Sequence, residues 1–314
     1  MPDPAPPISV LMPVFNAERY LAVAIDSVRM QTEGRFEFII VNDGSRDRSL
    51  RIIERYARQA PRIRVVDQVN TGVAGSLNAG LAHCTGEFVF RMDADDRALP
   101  TRFATQLAEL RRRPDCVALG SAVIFTDAEA RPLKVYRPPL EHEHIVAALT
   151  DGNGGALIHP TVAFRRKTLI ACGAYREKYD FIEDLDLFVR LLDHGPLANL
   201  AEPLYHYRQH AQSVNHRLGH RDAQTAEIIA ALRARQGLGP WPGRGNALTP
   251  AGLSTDECRR KWALDAAEGG NFATARANAL AAILHKPWNR KNWACLRYVR
   301  SLREPVPTAR RNLR

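Results

Sequence analysis

"FVFRMDADDRALPTR", residues Phe88 to Arg102, sets three aspartates within four positions directly after an apolar run. Crowded carboxylates disfavour one another's ionisation, so a fold keeps Asp93, Asp95 and Asp96 together only where something positive neutralises them, and a divalent cation is the obvious candidate. Asp93 and Asp95 alternate along an extended segment, so both face one place only if the strand turns there. Pro100 and the polar run around Arg97 end the strand and allow that turn.

Outward from this stretch, "ISVLMPV" (8–14), "FEFIIVND" (36–43), "RIRVVDQ" (62–68) and "EFVFRMD" (87–93) read as buried strands. Between them lie "NAERYLAVAIDSVRMQ", "GSRDRSLRIIERYARQ" and "VAGSLNAGLAHC", whose apolar residues recur at helical spacing. Strands alternating with helices of this length imply crossover connections and a mostly parallel sheet, which makes the fold class α/β. Ligands of such sheets bind at the carboxyl ends of the strands, where "VNDGS" and "MDADD" both fall.

Further on, "TRFATQLAELRRRPD" reads as a helix ended by Pro114, "CVALGSAVIFTD" and "HPTVAFRR" as strands, and "EDLDLFVRLLDHG" as a helix. The expected organisation is a catalytic domain over 1–235, a Gly/Pro-rich linker over 236–250, and a small, basic helical extension over 251–314. That extension is broken at Gly269-Gly270 and at Pro287. Its turn between Ala-rich helices resembles a single tetratricopeptide-type unit, and one unit cannot support a solenoid.

Composition removes several classes. A hydrophobic content of 45% belongs to a globular chain with a core. The five cysteines include no C-x-x-C pair, against a disulfide framework and against a zinc site. The opening residues carry no signal-peptide pattern and no apolar run is long enough to cross a bilayer, which is read as a cytoplasmic protein. The net charge of +10 is local: residues 286–314 hold nine Lys or Arg and one Glu, leaving only +2 for the rest. Nucleic acid is therefore not the expected partner, and no helix-turn-helix, zinc or RNA-recognition pattern supports one.

Each motif alone is ambiguous. D-x-D suits Mg²⁺ or Mn²⁺, which take one or two carboxylates with phosphate oxygens, but it is also an ordinary acidic turn. Asp43 before Gly44 and Ser45 is a helix cap or a carboxylate facing a nucleotide. Asp184 opens an amphipathic helix with its carboxylate free to face a cleft, while Asp186 suits the helix N-terminus.

Their order is more telling. "PVFNAERYL" (13–21), "VNDGS" (41–45), "NTGVAGSLNAGL" (70–81), "TGEFVFRMDADDRALPTRF" (85–103), "HPTVAFRR" (159–166) and "FIEDLDLFVRL" (181–191) closely resemble the inverting glycosyltransferase family 2 of bacterial polysaccharide and lipopolysaccharide synthesis, over roughly the first 210 residues. The resemblance implies a GT-A fold, a Rossmann-like nucleotide-binding mixed, mainly parallel sheet flanked by helices. It implies transfer of a sugar from a nucleotide-diphosphate sugar, UDP by the family's habit, to a hydroxyl of a glycan or lipid-linked acceptor, with Mn²⁺ or Mg²⁺ as cofactor. Carried over residue by residue, Asp184 is the catalytic base, supported by Glu183. Asp95 holds the metal, and Pro13, Phe15, Glu18, Asp43 and Asp93 bind the nucleotide. His210 is the candidate diphosphate or metal contact. One departure is Asn42, where the family commonly has an acid, which leaves the nucleotide open. The alternative is a catalytically inactive sugar-nucleotide-binding regulator.

In "NRKNWACLRYVRSLR", Trp293, Leu296 and Val299 are expected on one face and Arg297, Arg300 and Arg303 on another. That pattern is suited to peripheral contact with the inner face of a membrane.

Overall fold

Strand β1, Ile8–Val14, has no polar alternation because it lies between two parallel neighbours and is covered on both faces. The computed structural model describes residues 6–210, 222–243 and 253–302. Helix α1, Leu21–Arg29, leads to β2, Phe36–Asp43, then α2, Ser49–Gln59, β3, Ile63–Gln68, and α3, Gly72–Leu81. Strand β4, Phe88–Arg91, pairs with β1 so that Leu11 lies opposite Arg91, while β2 pairs with β1 through Val14 opposite Asn42.

Thus β1 runs three residues beyond β4. Pro13, which has no N–H to give, sits on that overhang.

After β4 come β5, Arg97–Ala98, α4, Arg102–Arg112, β6, Ala118–Thr126, β7, Pro132–Tyr136, and α5, His142–Thr150. Strand β8, Ala163–Arg165, α6, Arg166–Ala171, α7, Glu183–Leu191, β9, Leu197–Arg208, and α8, Asp222–Arg235, follow. The sheet order is β3-β2-β1-β4-β8-β6-β9-β5, with β7 on β6; β1 to β4 pair in parallel and β8 joins antiparallel. Chain order reverses between β1 and β4, which opens a crevice at their carboxyl ends. Under this end Phe103 of α4 meets Phe36 and Phe90 edge-on at 5.3 and 5.2 Å.

The described residues form two compact units, 6–123 with 136–208 and 222–243, and 124–135 with 209–210 and 253–302. The expected linker begins inside the first unit: Trp241 is half buried against its core, and Gln236 accepts a hydrogen bond from Thr150 Oγ1 at 2.9 Å. The rest of that stretch, 244–250, lies outside the described residues.

The second unit is helical, with α9, Thr255–Glu268, α10, Phe272–His285, and α11, Arg290–Ser301. It also takes in the β6–β7 hairpin tip from within 1–235. Ala263, Ala266, Ala275 and Ala279 let the helices approach closely around Trp262. The buried Asp127 carboxylate accepts from Arg131 Nε at 2.7 Å and from Asn278 Nδ2 at 2.8 Å, fastening hairpin to helix. Helix α11 corrects one expectation: Leu296 and Val299 are buried, but Trp293 is exposed on the arginine side. Arg303 lies outside the described residues.

Candidate active site

The loop after β1 and the loop after β2 are stitched together by short hydrogen bonds. Asn16, at φ 49°, accepts the Arg46 N–H at 2.8 Å, and the Ala17 N–H donates to Ser49 Oγ at 2.9 Å. Glu18 accepts from both Arg48 N and Arg48 Nε, at 2.9 and 3.0 Å, and those bonds hold its carboxyl below the usual range. Of the first-loop candidates, Pro13 is half buried, Glu18 braces the second loop, and Phe15 leaves its ring exposed.

Asp43 ends β2 almost fully buried and is saturated by protein donors. Its Oδ1 accepts from Gln68 Nε2 at 2.8 Å, Thr71 N at 2.9 Å and Thr71 Oγ1 at 3.2 Å. Its Oδ2 accepts from Asn70 Nδ2 at 3.0 Å and Gly72 N at 3.1 Å. A carboxylate offers about four lone-pair directions, so these bonds leave it little capacity for a base or ribose. Gly44, at φ +69°, makes the approach feasible: a Cβ there would lie 2.8 Å from Asn70 N. The neighbouring Asn42 donates to Asp67 at 2.7 Å, while its buried amide oxygen has no hydrogen-bond partner among the described residues.

At the end of β4 the chain turns as its sequence requires, and carboxylate oxygens of Asp93, Asp95 and Asp96 lie within 4.8 Å of one another. Their surroundings differ. Asp93 is ion-paired with Arg91, whose side chain is 6% exposed. Burial first, then the charge of Asp95, holds Asp93 above the usual carboxylate range against the pull of Arg91.

Asp96 is buried, accepts the Arg208 N–H at 2.6 Å, and is pushed well up by burial and by Asp95 and Asp93. Asp95 is half buried, and its carbonyl accepts from Arg208 Nε at 2.7 Å. An all-oxygen donor set of this kind fits Mg²⁺ or Mn²⁺.

The third component is the start of α7. Phe181, at φ 72°, holds a conformation that L-residues rarely adopt, two residues before Glu183. Asp180 accepts the Ala74 N–H at 3.0 Å, tying this loop to the start of α3. Glu183 is buried and its carboxyl is pushed up to about 8, by burial and then by Asp184. Asp184 is also raised, by burial first and in part by Asp93, while the Leu185 N–H and Arg91 pull it back. The charge of Asp93 is therefore felt at Asp184. His159 Nε2 lies 3.0 Å from the Tyr175 hydroxyl and its Nδ1 3.7 Å from Glu183; burial and Arg91 keep the ring neutral by holding its pKa well down. Asp186 accepts from Arg190 at 2.7 and 2.9 Å and braces the helix.

Asp93 and Asp95 thus lie in the turn after β4 and Glu183 and Asp184 at the start of α7, with Pro13 in the overhang of β1, Asp43 at the end of β2, and Phe15 and Glu18 on the loop after β1. His210 stands two residues past β9, half buried and within the second unit. Sequence reasoning missed Arg91, Tyr205 and Arg208. Tyr205 accepts the Asp93 N–H at 3.1 Å, and Arg208 lies over the Tyr20 ring at 4.6 Å. The cation two places before D-x-D was a readable signal; the strand bearing Tyr205 and Arg208 was not.

Residues 9–172 match the family model described as "Glycosyl transferase family 2". The amylovoran biosynthesis glycosyltransferase AmsE of Erwinia amylovora is 34% identical over 215 residues, covering 67% of this chain and 79% of that one. The putative glycosyltransferase EpsE of Bacillus subtilis is 31% identical, covering 68% and 76%. Among solved structures, S. aureus TarS in complex with UDP-GlcNAc superposes with a TM-score of 0.56 at 17% identity over 93% of this chain and 90% of that one. The mannosyltransferase PcManGT of Pyrobaculum calidifontis, in complex with GDP-Man and Mn2+, gives 0.52 at 17% identity over 95% and 87%. No helix among the described residues is long and apolar enough to cross a membrane.

Proposed function

The chain belongs to glycosyl transferase family 2 and has the GT-A fold, and from that premise we propose that it is an inverting, metal-dependent transferase. It would move a sugar from a UDP-sugar to a hydroxyl of a glycan or lipid-linked acceptor in cell-surface polysaccharide synthesis. The observation that carries this reading is the carboxylate cluster at the end of β4, where oxygens of Asp93, Asp95 and Asp96 lie within 4.8 Å of one another beside the Arg91 cation. The names of the relatives support the pathway class, and the UDP-GlcNAc held by TarS supports the donor class.

In this reading the donor's nucleotide lies across the carboxyl ends of β1 and β2, where the exposed Phe15 ring offers a face for the base. Asp93 meets the ribose, and Asp95 would hold a divalent cation. Such an ion, when bound, supplies positive charge to the departing diphosphate. Asp184 takes the proton of the acceptor hydroxyl as that oxygen attacks the anomeric carbon, and the glycosidic bond to phosphate breaks on the opposite face. A single displacement inverts configuration and needs no enzyme nucleophile. Its raised pKa brings Asp184 nearer the working pH, where a general base is most effective.

A lipid-linked acceptor would put the enzyme at the cytoplasmic face of a membrane. The test is release of nucleoside diphosphate from a panel of sugar nucleotides with Mn²⁺ or Mg²⁺. Slow hydrolysis of one donor, absent from Asp95→Ala, supports the transferase. Tight donor binding with no turnover, even with cell-derived acceptors, would favour a sugar-nucleotide-binding regulator.

A further inference from the structure

In the second unit, α10 and α11 meet at a corner that leaves large apolar side chains in water. Leu284 in the last turn of α10 is 84% exposed, Trp288 in the connection 76%, and Trp293 in the first turn of α11 46%. Fraying does not account for this, because the corner is held from beneath. The buried Asn292 donates to the carbonyls of Ala282 and Lys286 at 2.8 and 3.0 Å, and Trp293 Nε1 donates to Pro287 O at 2.7 Å. Asp256, itself buried, accepts from Asn289 Nδ2 at 2.8 Å and from Arg260 Nη1 at 3.0 Å. The connection and the Trp293 indole are held in place, and the apolar side chains are displayed to solvent.

The stretch of chain that carries them has charge of one sign, and the Asp256 carboxylate beneath it is already paired with Arg260 and Lys286. Residues 269–302 contain six Lys or Arg and no Asp or Glu. Arg290, Trp293, Arg297 and Arg300 recur at helical spacing along the solvent side of α11, opposite the buried Cys295, Leu296 and Val299. Those three arginines make no ion pair among the described residues.

Indole rings suit the headgroup depth of a bilayer, and exposed arginines are drawn to a negative lipid surface. We propose that this corner is a docking surface for an anionic phospholipid bilayer, with Leu284, Trp288 and Trp293 entering the interface and Arg290, Arg297 and Arg300 meeting lipid phosphates. The inference stands on this surface and extends the transferase reading by bringing the enzyme to where a lipid-linked acceptor resides.

The experiment is co-sedimentation of the full chain with phosphatidylglycerol vesicles and with phosphatidylcholine vesicles, alongside tryptophan quenching by brominated lipids. Binding to the anionic vesicles, weakened by salt, is expected. The pair Arg290→Glu and Arg297→Glu should lower partitioning roughly tenfold or more, and Trp288→Ser with Trp293→Ser should abolish the quenching. Equal binding to both lipids, no binding by the parent chain at low salt, or retention by both variants overturns the proposal. Displacement from vesicles by stoichiometric RNA also overturns it, in favour of nucleic acid. All the substituted residues are exposed and remote in sequence from the catalytic motifs, so donor hydrolysis in solution should be unchanged in every variant. No vesicle binding by the parent chain, with its hydrolysis intact, rejects the docking surface alone, whereas vesicle binding by the parent chain without hydrolysis rejects the transferase reading alone.

Discussion

Arg91 sets its buried guanidinium against the Asp93 carboxylate, so a positive charge stands in the crevice before any ligand arrives. Both Nε and Nη1 lack a further hydrogen-bond partner among the described residues, and Tyr205, Glu183 and Asp184 all respond to the charge. Arg91→Met should therefore destabilise the fold by about 3–5 kcal/mol, the usual cost of stranding one member of a buried pair. Urea midpoints would measure it, and Arg91→Met with Asp93→Asn should recover part of the loss. Additive losses in the double variant would mean that the pair is not coupled.

Asp43 makes a different prediction. Asn at this position replaces an acceptor oxygen with a donor facing N–H groups from Gln68, Asn70, Thr71 or Gly72. Asp43→Asn should cost about 1–3 kcal/mol in stability and weaken donor binding through the loosened 70–72 loop. Calorimetry with UDP and GDP, beside a urea melt, separates the possibilities. Unchanged stability with altered nucleotide preference would show that Asp43 reads the base rather than supporting the loop.

The parallel half of the sheet was legible because β1, β2 and β4 are apolar runs ending in polar turns, and the helices between them keep a 3.6-residue rhythm. Strand β9 was not: "LANLAEPLYHYR" carries Pro203 and an exposed Glu202, and only pairing with β5 and β6 makes it a strand. Tyr205 and Arg208 were lost with it. The D-x-D and E-D carboxylates could be read as chemistry from type and spacing alone. The five donors on Asp43 could not, since they come from residues 25 to 29 positions away, set by the β2–β3 register.

Glu183 gives a pH prediction whose sign is fixed. Its carboxyl titrates at about 8 in the fold against 4.5 as the ordinary value, so between those limits the folded state holds a proton that the unfolded chain has lost. Stability then falls as pH rises through that window and levels off above it. Asp184 and Asp93 are raised as well and add slope of the same sign. Glu183→Gln, which mimics the protonated acid, should flatten part of the fall between about pH 5 and about pH 8.5. Equal slopes for parent and variant in urea titrations would place the titration elsewhere.

The three neighbouring aspartates should separate by phenotype. Asp96 is buried and its Oδ1 holds the Arg208 N–H at 2.6 Å, so Asp96→Ala unties the acidic turn from β9. It should cost about 1–3 kcal/mol in stability. Asp95 contributes its carbonyl to Arg208 Nε at 2.7 Å, a bond that alanine keeps, and its half-buried side chain is the proposed cation ligand. Asp95→Ala should therefore leave the urea midpoint nearly unchanged, within about 0.5 kcal/mol, while abolishing the activation of donor hydrolysis by Mn²⁺. Asp93→Ala removes the partner of Arg91 and should lower both stability and donor affinity, because a buried guanidinium is left uncompensated. If Asp95→Ala and Asp96→Ala behaved alike in both assays, the division of the cluster into one cation ligand, one strut and one partner of Arg91 would be wrong. The carboxylates would then act on the metal as a set.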